Sequence, residues 1–110
     1  MDSCNKRAGN SVKSFYLLNA TNLAKTNAVQ LLSLDIEEHC PHVALVTETW
    51  FTSKRDTKCL SIPNYTLYRR DRVNRKGGGV CAYVRDDIKC ELLNHDIHTD
   101  SIEILWLVSF

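Results

Sequence analysis

The sequence predicts an α/β domain made of a strand–helix–strand unit, followed by a β-hairpin and further strands. Two apolar runs, residues 15–18 and 43–46, are bounded by polar residues, which is the pattern of buried strands. Apolar residues between them recur at helical spacing, and two period-two segments follow around a glycine-rich turn. The 110 residues leave room for one small domain, expected over residues 14–110 after a flexible tail of residues 1–13.

The first strand and the helix have recognisable boundaries. Residues 14–20 form the predicted first strand, buried on both faces. The helix is predicted over residues 21–39, with Thr21 or Asn22 as its N-cap and Pro41 beyond its end. Its buried stripe is expected to contain Ala28, Val29, Leu31, Leu32 and Ile36.

The chain returns through a second buried strand, residues 42–47, which we expect to lie parallel to the first because of the helical crossover. A polar loop over residues 52–64 follows. Residues 65–72 and 79–85 then alternate around a turn and predict a β-hairpin, whose glycines form the turn and allow a close backbone approach. The remaining predicted strands are residues 88–93 and 101–110.

Two polar side chains stand where the paired parallel strands end. Asn19 follows the apolar run of the first strand, and Glu48 follows the second strand. Functional residues of open α/β sheets gather at the carboxyl ends of strands, so we expect these two side chains to converge. A carboxylate suits Mg²⁺ and an amide can orient a phosphate, which together outline a phosphoryl-transfer site. The alternative is that Glu48 is a surface or capping residue and Asn19 a turn residue.

Positive charge is concentrated in one part of a nearly neutral chain. Residues 54–76 carry eight basic and two acidic side chains, a local charge of +6, whereas the whole chain carries +1. Tyrosines are interleaved with this basic run, a composition that suits phosphate contacts. The predicted nucleic-acid-binding residues are Arg70, Arg72, Arg75 and Lys76. A solvated hairpin face is the alternative.

Cysteine and histidine usage offers a different candidate. The five cysteines are odd in number and form no Cys-x-x-Cys pair, which favours a reduced protein over a disulfide scaffold. Two His-x-x-His pairs, His39 with His42 and His95 with His98, supply the four ligands of a tetrahedral zinc site. Structural zinc sites favour cysteine and the spacer between the pairs is long, so solvated loop histidines are the simpler interpretation.

Several short segments, taken in order, resemble a known superfamily. They are Leu18-Asn19-Ala20-Thr21-Asn22-Leu23 followed by Lys25, His42-Val43-Ala44-Leu45-Val46-Thr47-Glu48-Thr49-Trp50-Phe51, Ile62-Pro63-Asn64-Tyr65, Tyr68-Arg69-Arg70-Asp71-Arg72 and Gly77-Gly78-Gly79-Val80. Each motif is short, and the specificity lies in their order and spacing. The set resembles the endonuclease/exonuclease/phosphatase superfamily, and within it the apurinic-endonuclease-like domain of non-LTR retrotransposons.

The resemblance implies a deoxyribonuclease-like fold, in which two β-sheets pack face to face with helices outside, and this chain would supply its N-terminal half. It implies Mg²⁺-dependent hydrolysis of a DNA phosphodiester. In retrotransposon members of the family this reaction nicks the target DNA, and the exposed 3′ end primes reverse transcription. In that family the asparagine of the first strand helps to position the phosphate and metal, and the glutamate of the Glu-Thr-Trp stretch binds the metal. Asn19 and Glu48 match those positions and are the implied catalytic and metal-binding residues.

The same resemblance implies what this chain lacks. Family members carry further motifs downstream, namely a tyrosine, an Asp-x-Asn pair and a terminal Ser/Asp-His, and no residue here matches them. We therefore expect a fragment that is inactive alone, which leaves open whether the chain is itself an enzyme. One face of the sheet would lack the second sheet that packs against it in the family. We therefore expect the chain to self-associate through that exposed face. The expected exposed strip is on the last strand, at Ile104, Trp106 and Val108 or at Leu105 and Leu107.

These inferences define the expected partners. DNA is the expected partner and Mg²⁺ the expected cofactor. No apolar run approaches the about 20 residues that a membrane-spanning helix needs, so no membrane association is expected. The expected location is intracellular, and nuclear if the chain belongs to a retrotransposon protein. The alternative functions are a non-catalytic nucleic-acid-binding remnant that uses the hairpin over residues 65–85, and a small zinc module.

Overall fold

The computed structural model describes residues 13–73, 77–93 and 106–109. Within these ranges the chain forms six strands, one α-helix and a short 3-10 helix. The elements are β1 (Phe15–Asn19), α1 (Ala28–His39), β2 (Val43–Thr47), the 3-10 helix (Thr57–Leu60), β3 (Tyr65–Arg70), β4 (Val80–Arg85), β5 (Cys90–Leu93) and β6 (Trp106–Ser109). The proposed tail, residues 1–13, lies almost entirely outside the described residues.

The strands form one mixed four-stranded sheet, in the order β1-β2-β4-β3, and a two-stranded sheet of β5 and β6. β1 and β2 are parallel, with Asn19 opposite Thr47, whereas β4 is antiparallel to both of its neighbours. The predicted α/β fold, the parallel crossover and the hairpin are therefore confirmed. The hairpin strands end at Arg70 and begin at Val80, so they are shorter than predicted.

Helix α1 packs against one face of this sheet. Val29, Leu32 and Ile36 are buried because a spacing of three and four residues places them on one side of the helix. Leu31, which was expected to widen this stripe, is 65% exposed. The hydrophobic core joins these helix residues to Leu23, Ala44, Val46, Phe51, Leu60, Ile62, Tyr65, Cys81 and Tyr83.

The helix begins at Ala28 and not at Thr21, so the predicted N-cap is wrong. Thr21, Asn22 and Asn27 all have positive φ angles, which a continuing right-handed helix does not permit. The Asn22 side chain accepts a hydrogen bond from the Ala24 backbone N–H at 3.1 Å. This local side-chain contact competes with helical hydrogen bonding and turns the chain instead.

Strand β1 is half-buried on one face and exposed on the other, which contradicts its expected burial on both faces. Phe15 is 63% exposed and Leu17 is 73% exposed. On β2, Leu45 pairs in register with Leu17 and is 37% exposed on the same face. The physical reason is position: β1 is at the edge of the sheet, where α1 covers one side and no described residue covers the other.

The same face of the sheet is buried farther from β1, at strand β4. Ala82 and Val84 of β4 share the face of Leu45 through the strand register, yet they are 0% and 2% exposed. The Tyr68 hydroxyl of β3 donates to the Cys90 carbonyl of β5 at 3.4 Å, so β5 lies against this part of the sheet. β5 therefore lies against Tyr68 of β3, and this face of the sheet is buried at β4 and open at β1 and β2.

The exposed apolar strip consequently differs from the one expected on the last strand. Phe15, Leu17 and Leu45 form it, on β1 and β2. In β6, Leu107 is half-buried, and Ile104 and Leu105 of the expected strip lie outside the described residues. The expectation followed the strongest apolar run in the sequence, whereas exposure depends on which strands the rest of the chain covers.

The four cysteines among the described residues divide between two states. Cys59, Cys81 and Cys90 are free thiols, and burial raises the pKa of the Cys81 thiol to about 12. Cys40 is disulfide-bonded, so the expectation of a fully reduced set fails at this residue. Among the described residues, no helix combines the length and apolar character needed to span a membrane.

Candidate functional site

The candidate site lies at the carboxyl ends of β1 and β2, where backbone pairing continues past both strands. The Ala20 N–H donates to the Thr47 carbonyl at 2.9 Å, and the Asn22 N–H donates to the Glu48 carbonyl at 2.8 Å. Asn19 therefore ends one strand beside the residue that precedes Glu48. The prediction that the two site residues end adjacent parallel strands is confirmed; the convergence of their side chains stays a prediction.

Glu48 leaves β2 in a left-handed backbone conformation, with φ of 57°. Its side chain is half-buried, and its Oε2 accepts a hydrogen bond from the Trp50 indole Nε1 at 3.1 Å. Trp50 also has a positive φ, 60°, which turns the indole back toward the carboxylate. No partner is recorded for the second carboxylate oxygen, Oε1, within the described part of the chain.

The segment that carries Glu48 rests on the glycines that precede β4. The Thr49 N–H donates to the Gly79 carbonyl at 3.3 Å, and the Trp50 N–H donates to the Gly78 carbonyl at 2.8 Å. A Cβ at Gly79 would lie 2.5 Å from Thr49 Oγ1, so any side chain there would force Thr49 or the backbone to shift. Gly77 lies against the indole of Trp50. The close backbone approach predicted for these glycines is confirmed, and the segment it receives contains Glu48.

Asn19 is exposed at the end of β1, on the open face of the sheet. The Thr21 hydroxyl donates to Asn19 Oδ1 at 3.4 Å, a contact at the limit of hydrogen bonding. Glu48 and Asn19 thus offer one carboxylate and one amide oxygen at neighbouring strand ends. This donor set fits Mg²⁺, which accepts one or two protein oxygens and retains several waters.

Arg69, within the basic run, has a structural role that sequence reasoning missed. Its guanidinium donates to both carboxylate oxygens of Asp71, at 3.2 and 2.7 Å. It also donates to the backbone carbonyls of Thr52 and Arg55, at 3.0 and 2.8 Å, and lies 5.2 Å from the ring centroid of Phe51. The side chain thereby attaches the loop after β2 to the sheet. The alternation of side chains along β3 could have revealed this role from the sequence, since it places Arg69 on the core face with Leu67.

Arg70 lies on the opposite face from Arg69, in the same row of the sheet as Asn19. The strand register aligns Asn19, Thr47, Val80 and Arg70 across all four strands. Three strand spacings separate the backbones of Asn19 and Arg70 by about 14 Å. Arg72 follows Arg70 and is half-buried. The other two predicted nucleic-acid-binding residues, Arg75 and Lys76, lie outside the described residues.

The histidine-based alternative receives no support from the described pair. His42 is 5% exposed, and its Nδ1 accepts a hydrogen bond from the Ser14 N–H at 2.9 Å. Burial lowers the pKa of His42, and the positive charges of Arg85 and Lys13 lower it further. His39 is exposed at the end of α1. The second pair, His95 and His98, lies outside the described residues.

One other group of metal-ligating side chains occurs in the described ranges. It consists of Asp35, Glu38 and His39, whose ligand atoms lie within 4.8 Å of one another. All three are exposed near the end of α1, and the chain enters β2 soon afterwards. This cluster is therefore at the end of the sheet opposite to Glu48, and it does not contribute to the same site.

Comparison with solved structures identifies the architecture. The crystal structure of the AP endonuclease LMAP from Leishmania major matches with a TM-score of 0.57 and 17% sequence identity, over 71% of this chain and 27% of that chain. This chain therefore spans about a quarter of the length of that neighbour. No protein-family model and no curated protein matches the sequence. The described residues thus adopt part of an AP-endonuclease-like α/β fold.

Proposed function

We propose that this chain is part of a Mg²⁺-dependent DNA endonuclease domain and carries one side of its phosphodiester-cleaving site. The observation that carries the proposal is the placement of Asn19 and Glu48 at the carboxyl ends of two paired parallel strands. The AP-endonuclease-like fold supports it, because ligands of α/β sheets bind at such strand ends.

Each residue has a distinct proposed role. Glu48 holds the cation through the carboxylate oxygen that Trp50 does not engage. Asn19 orients a phosphate oxygen or a water through its exposed amide. Bound Mg²⁺ supplies Lewis-acid polarisation of the phosphoryl oxygen and stabilises the developing charge.

The specific form of the proposed activity is target-site nicking by a retrotransposon-type endonuclease. This follows from the ordered motifs that resemble the apurinic-endonuclease-like domain of non-LTR retrotransposons. The solved neighbour is much longer than this chain, and Asn19 and Glu48 alone supply no candidate general base. We therefore propose that the 110-residue chain binds the cation and does not cleave DNA by itself.

A cation-binding and nicking experiment tests this proposal. Calorimetric titration with Mg²⁺ is expected to show saturable binding that Glu48→Gln abolishes and Asn19→Ala weakens. Asp35→Asn serves as the matched control, because Asp35 belongs to the acidic cluster at the other end of the sheet. Supercoiled plasmid is expected to stay intact with the isolated chain. Binding that survives Glu48→Gln, or disappears in Asp35→Asn, would contradict the assigned site.

A second candidate function is non-catalytic nucleic-acid binding, which the position of Arg70 favours. Arg70 and Arg72 lie at the same end of the sheet as Asn19, so a polyanion can contact all three. Arg70→Glu with Arg72→Glu is expected to reduce the salt dependence of DNA binding by about 0.9 in log–log slope for each lost phosphate contact. Lys13→Glu with Lys89→Glu is the matched control, because these lysines lie toward the opposite end.

The two candidates give different outcomes. DNA binding that depends on Arg70 and Arg72 but not on Mg²⁺ or Glu48 would favour the binding remnant. DNA binding strengthened by Mg²⁺, and lost in Glu48→Gln, would favour the endonuclease part. An unchanged salt slope in the doubly substituted chain would show that the basic run is a solvated face.

A further inference from the structure

We propose that Trp50 is a positioning residue for Glu48, and that the backbone of Gly78 and Gly79 holds Trp50 in place. The proposal rests on the proposed function, since it concerns how the same carboxylate is presented to a cation. It assigns a role in ligand orientation to an indole N–H and to two glycine carbonyls.

The first step is the contact between the two side chains. The Trp50 Nε1 donates to Glu48 Oε2 at 3.1 Å. A carboxylate attached to a flexible side chain has several rotamers, and a fixed donor on one oxygen selects among them. Metal-ligating carboxylates are commonly oriented by such outer hydrogen bonds, whose loss costs about 10- to 100-fold in metal affinity. Trp50 therefore leaves Oε1 as the oxygen that faces a cation.

The second step is the support of Trp50 itself. Its backbone N–H donates to the Gly78 carbonyl at 2.8 Å, and the Thr49 N–H donates to the Gly79 carbonyl at 3.3 Å. Thr49, which lies between Glu48 and Trp50, is 0% exposed, so the segment is anchored at its centre. A Cβ at Gly77 would lie 3.5 Å from Trp50 Nε1, which places that glycine directly beside the donor.

The third step is the backbone conformation. Glu48 and Trp50 both adopt positive φ angles, 57° and 60°, which are uncommon for residues with a Cβ. Two such residues in one short segment persist only when surrounding contacts determine the conformation, and the hydrogen bonds to Gly78 and Gly79 are those contacts. The glycine segment and the Glu-Thr-Trp segment therefore act as one unit.

Tryptophan fluorescence tests this inference without requiring cleavage. The chain has two tryptophans, and Trp106→Phe leaves Trp50 as the only one, excited at a wavelength that tyrosine does not absorb. Titration of the Trp106→Phe variant with Mg²⁺ is expected to change the Trp50 emission with a saturable profile. The added substitution Glu48→Gln is expected to remove that response.

A binding measurement supplies the second arm. Mn²⁺ binding, followed by electron paramagnetic resonance, is expected to weaken at least about 10-fold in Trp50→Phe, which keeps an aromatic ring and removes the N–H donor. Trp106→Phe is the matched control and is expected to bind Mn²⁺ as the original chain does. Thermal melting of each variant separates a loss of orientation from a loss of folding.

The outcomes distinguish this inference from the function on which it rests. Glu48-dependent cation binding with unchanged Trp50 emission, and with full affinity in Trp50→Phe, would overturn the positioning role and leave the proposed function intact. Absence of any Glu48-dependent cation binding would overturn both. If Trp50→Phe does not fold, unchanged Trp50 emission in the Trp106→Phe variant, under conditions where Glu48 still binds the cation, overturns the positioning role by itself.

Discussion

At the scale of single residues, the close contact between Gly79 and Thr49 predicts an unequal response to the same substitution. Gly77 and Gly79 have φ angles of 87° and 89°, so alanine is strained at both positions. Only at Gly79 would the new Cβ also meet Thr49 Oγ1, at 2.5 Å. Gly77→Ala is expected to lower the free energy of unfolding by about 1 kcal/mol, and Gly79→Ala by about 2 kcal/mol or more.

Denaturant unfolding of the two alanine variants measures this difference, with Gly77→Ala as the matched control. Adding Thr49→Ala is expected to reduce the gap between them, because it removes the atom that the new Cβ meets. Equal destabilisation by the two glycine substitutions would show that the backbone angle, and not the contact with Thr49, requires glycine at position 79.

His42 predicts how stability depends on pH. Its pKa is lowered in the folded chain by burial and by nearby positive charge, and its Nδ1 accepts from the Ser14 N–H. A histidine held neutral contributes stability that is present above its ordinary pKa of about 6.5 and is lost as pH falls through the lowered value. The free energy of unfolding is therefore expected to decrease below about pH 6.5.

The substitution His42→Asn tests this, since asparagine can accept from Ser14 and does not titrate. It is expected to flatten the decrease in urea-unfolding free energy between neutral and mildly acidic pH. His39→Asn is the control, because His39 is exposed at the helix end. A pH profile that is the same in His42→Asn as in the original chain would contradict the assignment.

At the scale of elements, Arg69 connects β3 to the loop that follows β2. The N–H groups of its guanidinium donate at the same time to the Asp71 carboxylate and to the backbone carbonyls of Thr52 and Arg55. A lysine ammonium cannot reproduce this geometry. Arg69→Lys is expected to lower the free energy of unfolding by about 2 kcal/mol and to increase proteolytic cleavage in the loop. Arg55→Lys, which loses one exposed bond to the Ala24 carbonyl, is expected to cost less than about 1 kcal/mol.

Limited proteolysis and thermal melting check this expectation. Arg69→Lys is further expected to leave the salt dependence of DNA binding unchanged, because Arg69 is on the core face of β3, whereas Arg70 is on the opposite face in the same row as Asn19. If Arg69→Lys melted like the original chain while it changed the salt slope, the two arginines would have exchanged the roles assigned to them.

At the scale of the whole molecule, the open face of β1 and β2 predicts self-association. Phe15, Leu17 and Leu45 are exposed together, and β1 is an edge strand among the described residues. Apolar patches beside an open edge favour contact with another chain. Sedimentation is therefore expected to show concentration-dependent association that Phe15→Thr with Leu17→Thr reduces. Leu31→Gln, which removes a leucine exposed on α1, is the matched control and is expected to have no effect.

A monomer at every concentration tested would contradict this prediction, and so would equal effects of the strand and helix substitutions. Threonine is chosen because it is compatible with strand geometry, so the double variant is expected to keep the melting temperature of the original chain. The test therefore separates the loss of an apolar surface from the loss of the fold.

The sequence by itself determined the α/β architecture, the parallel strands that carry Asn19 and Glu48, and the antiparallel hairpin. These follow from periodicity and from the crossover rule, which depend on local pattern and chain length. It also placed Arg69 and Arg70 on opposite faces of β3. It misjudged the start of α1, because local hydrogen bonding by Asn22 overrides an apparently continuous helical pattern.

Only the tertiary structure decided the roles of the residues around the candidate site. The hydrogen bond from Trp50 to Glu48 depends on positive φ angles that no periodicity encodes. The bonds from Arg69 to the loop and from Thr49 to Gly79 join segments distant in sequence. The exposure of Phe15 and Leu17 likewise depends on which strands the rest of the chain covers. Sequence pattern specifies how a segment folds locally, whereas contacts and exposure depend on which segments lie next to one another.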